Sequence, residues 1–96
     1  MSPISNKDLQ DWAVARERAL AAISLERQRQ IEKWGLQTHP LEWWLAILSE
    51  EVGEMAKAML DVKFEQGASQ AIETEAVQVA AVAAAIVQAI QTKKGV

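Results

Sequence analysis

Hydrophobic residues recur along this chain at intervals of three and four residues, which is the period of a helix that is apolar on one side. The period-two alternation that is typical of strands is scarce. Glycine and proline occur at few positions, and these positions divide the chain into three segments. The pattern therefore predicts an all-α protein with three main helices.

The first segment is predicted to be helical from about Asn6 to Trp34. Ser5 followed by Asp8 resembles a capping box, and Gly35 suits the residue just past a helix end. The apolar positions fall on one stripe at about 100° per residue; they are Leu9, Trp12, Ala13, Leu20, Ile23, Ile31 and Trp34.

The second segment follows the linker "GLQTH" and is predicted to reach roughly Phe64. Pro40 fits the first turn of this helix, with Thr38 or His39 as its cap. Its apolar residues recur at three and four positions and predict the side that packs in the core; they are Leu41, Trp44, Leu45, Leu48, Val52, Met55 and Met59.

The third segment is rich in alanine and valine and is predicted to be helical to about Gln91. The turn "EQGAS" precedes it, and Ser69 is its predicted cap. Residues 92–96 are expected to form a frayed tail.

The length and hydrophobic content predict one domain that needs a partner. The 96 residues form a single domain, 1–96, and a chain this short buries only a modest core. Hydrophobic residues make up 50% of the chain, which is high for a small soluble monomer. We therefore expect the helical bundle to be completed by oligomerisation, as a homodimer or homotetramer.

Charge and composition exclude several classes of function. A net charge of −3 argues against a nucleic-acid partner. The absence of cysteine excludes disulfides and thiolate metal sites, and one histidine cannot build a histidine-rich zinc site. The apolar segment Val77–Ile90 is shorter than a membrane span and contains Gln78 and Gln88. These features predict a cytoplasmic protein with no membrane partner.

Three carboxylates lie within the short stretch "SEEVGE", residues 49–54, on the second predicted helix. Glu51 falls at the edge of the predicted core stripe, and Glu50 and Glu54 fall farther round on the same side, in a second apolar band with Trp43 and Ile47. Acids three and four residues apart are surface neighbours on a helix and repel each other. Lys57 alone has the spacing to balance them, and it lies on the polar face.

Glu75 repeats this arrangement on the third helix, where it shares one face with Val79, Val82 and Ile86. Burial of a lone carboxylate costs several kcal/mol, and a divalent cation removes that cost. Because Mg²⁺ prefers carboxylate oxygens, two antiparallel helices that offer acids to each other predict a Mg²⁺ site. The alternative is a solvated acidic face, which is common in helices but leaves Glu75 unexplained.

Basic and aromatic residues near the end of the first helix suggest a place for a phosphorylated ligand. Arg27 and Gln30 lie on the apolar stripe beside Trp34, and Lys33 lies on its flank. Arginine could bind phosphate and Trp34 could stack on a nucleobase. The alternative is that the arginine stem packs while its charged group reaches water or an acid.

Three parts of the sequence together resemble the MazG-like all-α nucleoside triphosphate pyrophosphohydrolases. They are "ERQRQIEKWGLQTH", "LAILSEEVGEMAKAML" and "EAVQVAAVAAAI", and the similarity spans about Leu25–Ile90. An EExxE motif, a gap of about twenty residues and an acid that opens an ExxD-like element carry the resemblance, together with "KWGxQxH" before them.

The resemblance implies a Mg²⁺-dependent hydrolase that cleaves nucleoside triphosphates, often deoxy or non-standard ones, to the monophosphate and pyrophosphate. It implies that Glu51, Glu54 and Glu75 bind metal, with Gln78 as a fourth candidate ligand, and that Glu50 supports the site or orients water. Glu50 and Glu51 are the candidate catalytic acids. Gln78 stands where the family usually has Asp, which leaves the number of metal ions open. Family members also assemble into dimers or tetramers.

A second class of function stays open at this point. A catalytically weak or inactive helical module could keep the same fold and serve as a nucleotide-binding or protein-interaction domain. Gln78 favours this class, because a neutral amide offers a metal less than a carboxylate does.

Overall fold

The structure is a computed structural model that describes residues 3–65 and 67–92, except for the side chain of Glu65. It contains three α-helices: α1, Asn6–Trp34; α2, Leu41–Glu65; and α3, Ser69–Gln91. The described residues include no strand. The prediction of an all-α protein with three main helices is confirmed. Of the predicted frayed tail, residues 93–96 lie outside the described residues.

The two ends of α1 are the ones that the sequence predicts. The Ser5 hydroxyl accepts a hydrogen bond from the Asp8 backbone N–H at 3.0 Å, which satisfies one of the free donors of the first turn. Gly35 ends the helix with φ 73°, a conformation that side chains disfavour, and its N–H donates to the Ile31 carbonyl.

The predicted caps of α2 and α3 are wrong by one or two residues. The Pro40 carbonyl, rather than Thr38 or His39, accepts the first hydrogen bonds of α2, from the N–H groups of Trp43 and Trp44. Ala68 occupies the cap of α3 and provides no side-chain hydrogen bond, so Ser69 is the first helical residue. Helix α2 therefore begins later than its predicted caps would suggest, and α3 begins one residue earlier.

Helix α3 is the central element, since it packs against both α1 and α2, whereas the described residues show no close backbone approach between α1 and α2. Trp44 is 2% exposed and packs with Ala85 and Ala89, with Ile47 and Ile86 at the edge of this cluster. Small residues on α3 let the large indole of α2 approach the helix axis. This contact fixes α2 and α3 as an antiparallel pair.

The side of α2 that faces α3 is rotated relative to the predicted core stripe. Ala58 is buried, and Ile47, Glu51 and Met55 are half-buried, whereas Leu45 is exposed. The prediction that the whole stripe packs in the core of the single chain is therefore wrong. Because of the same rotation, the Glu51 side chain faces α3.

The molecule is more open than a compact domain of its size. Its radius of gyration is 16.1 Å, against about 12.5 Å for a compact chain of this length. Its accessible surface is 7571 Å², against about 5,500 Å² for a folded monomer of this mass. The difference reflects large apolar side chains that no other part of the described chain covers.

Helix α3 is long and apolar enough, by length and composition, to cross a membrane. The central helix of a soluble protein passes the same test, so this finding is weak evidence for a membrane span. From the sequence, the apolar segment was expected to be too short for a membrane span because only Val77–Ile90 was counted. The helix is longer, since it begins at Ser69.

Candidate metal centre

Glu51 and Glu54 of α2 and Glu75 of α3 come together where the two helices face each other. One carboxylate oxygen from each residue lies within 4.8 Å of the other two. The first two acids are almost one turn apart on α2, and the Trp44 contact sets the register that brings Glu75 opposite them. The three predicted acids therefore form one cluster.

Glu51 is the least solvated member of this cluster. Its Oε2 atom is buried and has no hydrogen-bond partner in the structure. Burial raises the pKa of Glu51 above its ordinary value of 4.5, and the charges of Glu54, Glu75, Glu50 and Glu26 raise it further, in that order. A carboxylate in this position is costly unless a proton or a cation neutralises it.

No cationic side chain forms an ion pair with the cluster in the described part of the chain. The nearby Lys57 approaches Asp61, at 4.0 Å. A cavity of about 370 Å³ opens between α2 and α3 beside Glu54 and Glu75. Carboxylate oxygens that lie close together, one of them without a partner, are a donor set that fits a hard divalent cation such as Mg²⁺ or Mn²⁺.

Glu50 and Gln78 are the other two candidate metal-site residues that the sequence singled out. Glu50 is exposed, and its charge contributes to the raised pKa of Glu51. Gln78 is half-buried on α3 and lines a cleft of about 380 Å³ with Glu26 and Arg29 of α1. Gln78 thus faces the cleft between α1 and α3.

The predicted substrate-binding residues divide into two groups. Arg27 and Gln30 lie where α1 packs on α3: Arg27 Nε donates to Gln88 Oε1 at 2.8 Å, and an Arg27 terminal N–H donates to Gln30 Oε1 at 2.7 Å. Lys33 and Trp34 are exposed at the end of α1, with the Lys33 ammonium 4.7 Å from the Trp34 ring centroid. Arg29 is a second cation over this ring, at 5.9 Å.

Sequence reasoning missed Glu26. Its side chain is 11% exposed, although its ion-pair partner Arg29 is 52% exposed. Arg29 Nε donates to its carboxylate at 2.9 Å, and Gln30 Nε2 donates at 3.2 Å. The hydrogen bond from Arg29 is the main cause that lowers the pKa of Glu26, and burial opposes it. The spacing of Glu26, Arg29 and Gln30 on one helix face is the signal that could have revealed this group.

Comparison of the chain with protein-family models, curated proteins and solved structures gave no match.

Proposed function

We propose that this protein is a Mg²⁺-dependent nucleoside triphosphate pyrophosphohydrolase of the MazG-like kind, which releases a nucleoside monophosphate and pyrophosphate. The observation that supports it most is the convergence of Glu51, Glu54 and Glu75 around a carboxylate oxygen that has no partner. A purely structural helix pair gains nothing from three acids that repel each other. The resemblance of the sequence to this enzyme family supports the reaction type.

In this proposal Glu51, Glu54 and Glu75 hold the cation, and the Gln78 carbonyl oxygen contributes at its edge. Bound Mg²⁺ would neutralise the triphosphate. A carboxylate, Glu50 or Glu51, accepts the proton of the attacking water. The raised pKa of Glu51 suits a proton acceptor, and the exposure of Glu50 leaves it open to water.

Lys33 and Trp34 are the best-placed groups for the substrate. Both are exposed, so the ammonium can contact phosphate and the indole can stack on a base. Arg27 and Gln30 would bind the substrate only if they break or share their present hydrogen bonds, which join Arg27 to Gln88 and to Gln30. The proposed substrates are canonical, deoxy or non-standard nucleoside triphosphates.

The test is product analysis with a panel of nucleoside triphosphates, with and without Mg²⁺. We expect pyrophosphate and the nucleoside monophosphate from at least one of them, only with Mg²⁺. Glu54→Gln should lose this activity, and Glu42→Gln, an exposed acid in the first turn of the same helix, should keep it. Orthophosphate with a diphosphate product would show that another bond is cleaved.

We further propose that the protein is a homodimer or homotetramer assembled through α2. The heptad-like positions of this helix that α3 leaves exposed form an apolar stripe of four residues; they are Leu41, Leu45, Val52 and Met59. The accessible surface exceeds that of a compact monomer by about 2,000 Å², and a standard stable interface buries about 1,600 Å² in total. A second copy of this chain could cover the stripe without any other protein.

Light scattering tests this assembly. We expect a mass of at least two chains at micromolar concentration, and a shift towards one chain in Leu45→Glu, because a charge at the centre of an apolar interface is costly. Lys63→Glu, an exposed position near the end of the same helix, is the control. A monomer mass for the wild-type protein would exclude this assembly.

The second candidate is a catalytically weak or inactive nucleotide-binding or protein-interaction module, which Gln78 favours because it lowers the charge of the metal centre. Binding of triphosphate without turnover would support it. Under either proposal the protein is cytoplasmic and has neither a nucleic-acid nor a membrane partner. A net charge of −3 and the acids Glu73 and Glu75 within α3 support this.

A further inference from the structure

Lys57 is the one basic residue, among the described residues, that lines the cavity beside the metal centre. This cavity of about 370 Å³ lies between α2 and α3, and its walls also contain Glu54 and Glu75 of the acidic cluster. The sequence pattern predicted that Lys57 lies on the polar face of α2, away from the acids. The structure instead places a cation and two of the candidate metal ligands around one cavity.

The Lys57 ammonium has only a weak contact with an acid. Its Nζ atom lies 4.0 Å from Asp61 Oδ2, and the two side chains are 81% and 41% exposed. That distance is too long for a hydrogen bond, and exposed ion pairs of this kind contribute little to stability. The contact with Asp61 therefore leaves the three N–H donors of the ammonium available for a ligand.

The lining of the cavity suits a small anion better than a nucleoside. Its apolar part consists of Ala58 and Ala71, and no aromatic ring of the described residues lines it. Its volume is at the small end of the range of ligand sites, about 300–1,000 Å³. The groups proposed for the base, Lys33 and Trp34, belong to α1, and no described residue of α1 lines this cavity. The cavity thus fits the phosphate end of a nucleotide.

We propose that Lys57 binds the two terminal phosphates of the nucleoside triphosphate in this cavity, beside the metal centre that contains Glu54 and Glu75. This inference rests on the proposed function. The two terminal phosphates carry most of the negative charge of a triphosphate, and without a cation they would face only the carboxylates of the cavity wall. An ammonium group binds phosphate as a point charge, through charge-assisted hydrogen bonds.

Lys57 has a defined role in the proposed reaction. The oxygen of water forms a bond to the α-phosphorus, and the bond from that phosphorus to the bridging oxygen breaks. The electron pair of the broken bond stays on the bridging oxygen, which leaves as part of pyrophosphate, and a carboxylate accepts the proton of the water. The Lys57 ammonium stabilises the negative charge that the leaving pyrophosphate gains.

The position of Lys57 has opposite consequences for the two ligands of the site. A positive charge beside the metal centre repels a metal ion, so without substrate Lys57 lowers the affinity for Mg²⁺. The same charge attracts a phosphate anion. Removal of this charge should therefore weaken anion binding without weakening metal binding, whereas damage to the fold would weaken both.

Calorimetric titration of the wild type and Lys57→Met tests the proposal, first with MgCl₂ and then with pyrophosphate at saturating Mg²⁺. Methionine keeps most of the length of the side chain and removes its charge. We expect Lys57→Met to bind pyrophosphate about tenfold more weakly, because a charge-assisted hydrogen bond is lost. Its affinity for Mg²⁺ should be at least that of the wild type.

The matched control is Lys63→Met, which makes the same change of charge on the same helix. The Lys63 ammonium lies 5.3 Å from the centroid of the Phe64 ring, and Lys63 does not line the cavity. This variant should bind both ligands as the wild type does. Lys57→Arg keeps the charge and should bind pyrophosphate within about threefold of the wild type.

Several results would overturn this role of Lys57. Equal pyrophosphate affinity of the wild type and Lys57→Met, with Mg²⁺ bound to both, would remove it and leave the proposed function intact. Weaker binding of Mg²⁺ and pyrophosphate together would assign Lys57 to the fold, and an equal loss in Lys63→Met would show an effect of net charge alone. A wild-type protein that binds no Mg²⁺ would remove the proposed function, and this role with it.

Discussion

The two polar regions beside α3 differ in how their charges are balanced. Where α1 packs on α3, the Glu26 carboxylate accepts hydrogen bonds from Arg29 and Gln30, and Arg27 donates to Gln88. Where α2 faces α3, three carboxylates repel each other and one Oε2 atom has no partner.

The difference separates polar groups that stabilise the chain from polar groups that cost stability. A partnered buried group contributes about 1 kcal/mol, whereas an unpartnered one costs about 1–3 kcal/mol. The charges of the first region are therefore balanced within the protein, whereas the second region has no partner among the described residues and would be neutralised by a proton or a cation.

The largest effect is expected from the acids of the cluster. Glu75→Gln should lower the rate of pyrophosphate release by about 100-fold or more, because loss of a ligand removes several kcal/mol of metal-dependent stabilisation. Without metal its fold should be as stable as wild type or slightly more stable, since one repelling charge is gone. The readouts are product release and thermal melts with a chelator.

Glu73→Gln is the matched control for this change, since Glu73 is an exposed acid on the same helix, two residues away. It should keep wild-type activity. A Glu75→Gln protein that is unfolded without metal would assign Glu75 to the structure of the chain and not to the metal.

A smaller effect, on folding stability and not on activity, is expected where α1 packs on α3. Arg27→Ala removes the hydrogen bonds to Gln88 and Gln30 and should lower the free energy of unfolding by about 1.5 kcal/mol. Urea denaturation measures this, with Arg16→Ala, an exposed position on the same helix, as control. Unchanged stability with a raised KM would show instead that Arg27 serves the substrate and not the packing.

The smallest effect is a pH dependence with a defined sign. Because the pKa of Glu51 is raised in the folded protein, its contribution to stability is fully present below the pKa of the unfolded chain, near 4.5, and is lost as pH rises through the higher folded value. The metal-free protein should therefore lose stability as pH rises through that range, with a slope of at most about 1.4 kcal/mol per pH unit for one proton.

The carboxyl group of Glu26 should have the opposite dependence, because its pKa is lowered in the folded protein and its contribution is lost as pH falls. Urea denaturation of Glu51→Gln and Glu26→Gln across this pH range separates the two. If the metal-free wild type and Glu51→Gln lose stability equally as pH rises, Glu51 is not the group responsible.

The sequence predicted the three helices and the acidic cluster because both depend on local spacing. Ser5 and Gly35 mark the ends of α1, and acids three residues apart must share a helix face. The face of α2 that packs on α3 was not predictable in the same way, since α2 has two apolar sides and periodicity cannot say which one α3 covers. The Trp44 contact with Ala85 and Ala89 decides it.

The contact between Arg27 and Gln88 could not be predicted from spacing because it joins residues far apart in the chain. Arg27 is 61 residues from Gln88, and nothing in the local pattern of α1 indicates which side of α3 it meets. The sequence suggested a phosphate site at Arg27, with the alternative that its stem packs while its charged group reaches water or an acid. Only the structure shows that Arg27 of α1 donates a hydrogen bond to Gln88 of α3.

The central claim is that Glu51, Glu54 and Glu75 hold a divalent cation. The most direct test is the free energy of unfolding of the wild-type protein and of Glu75→Gln, each measured with a chelator and with Mg²⁺. At a concentration a hundred times the dissociation constant, we expect Mg²⁺ to stabilise the wild type by about 2.7 kcal/mol. It should stabilise Glu75→Gln far less, and the chelated variant should be at least as stable as the chelated wild type. Equal stability of the wild type with and without Mg²⁺ would contradict the claim that these acids hold a divalent cation.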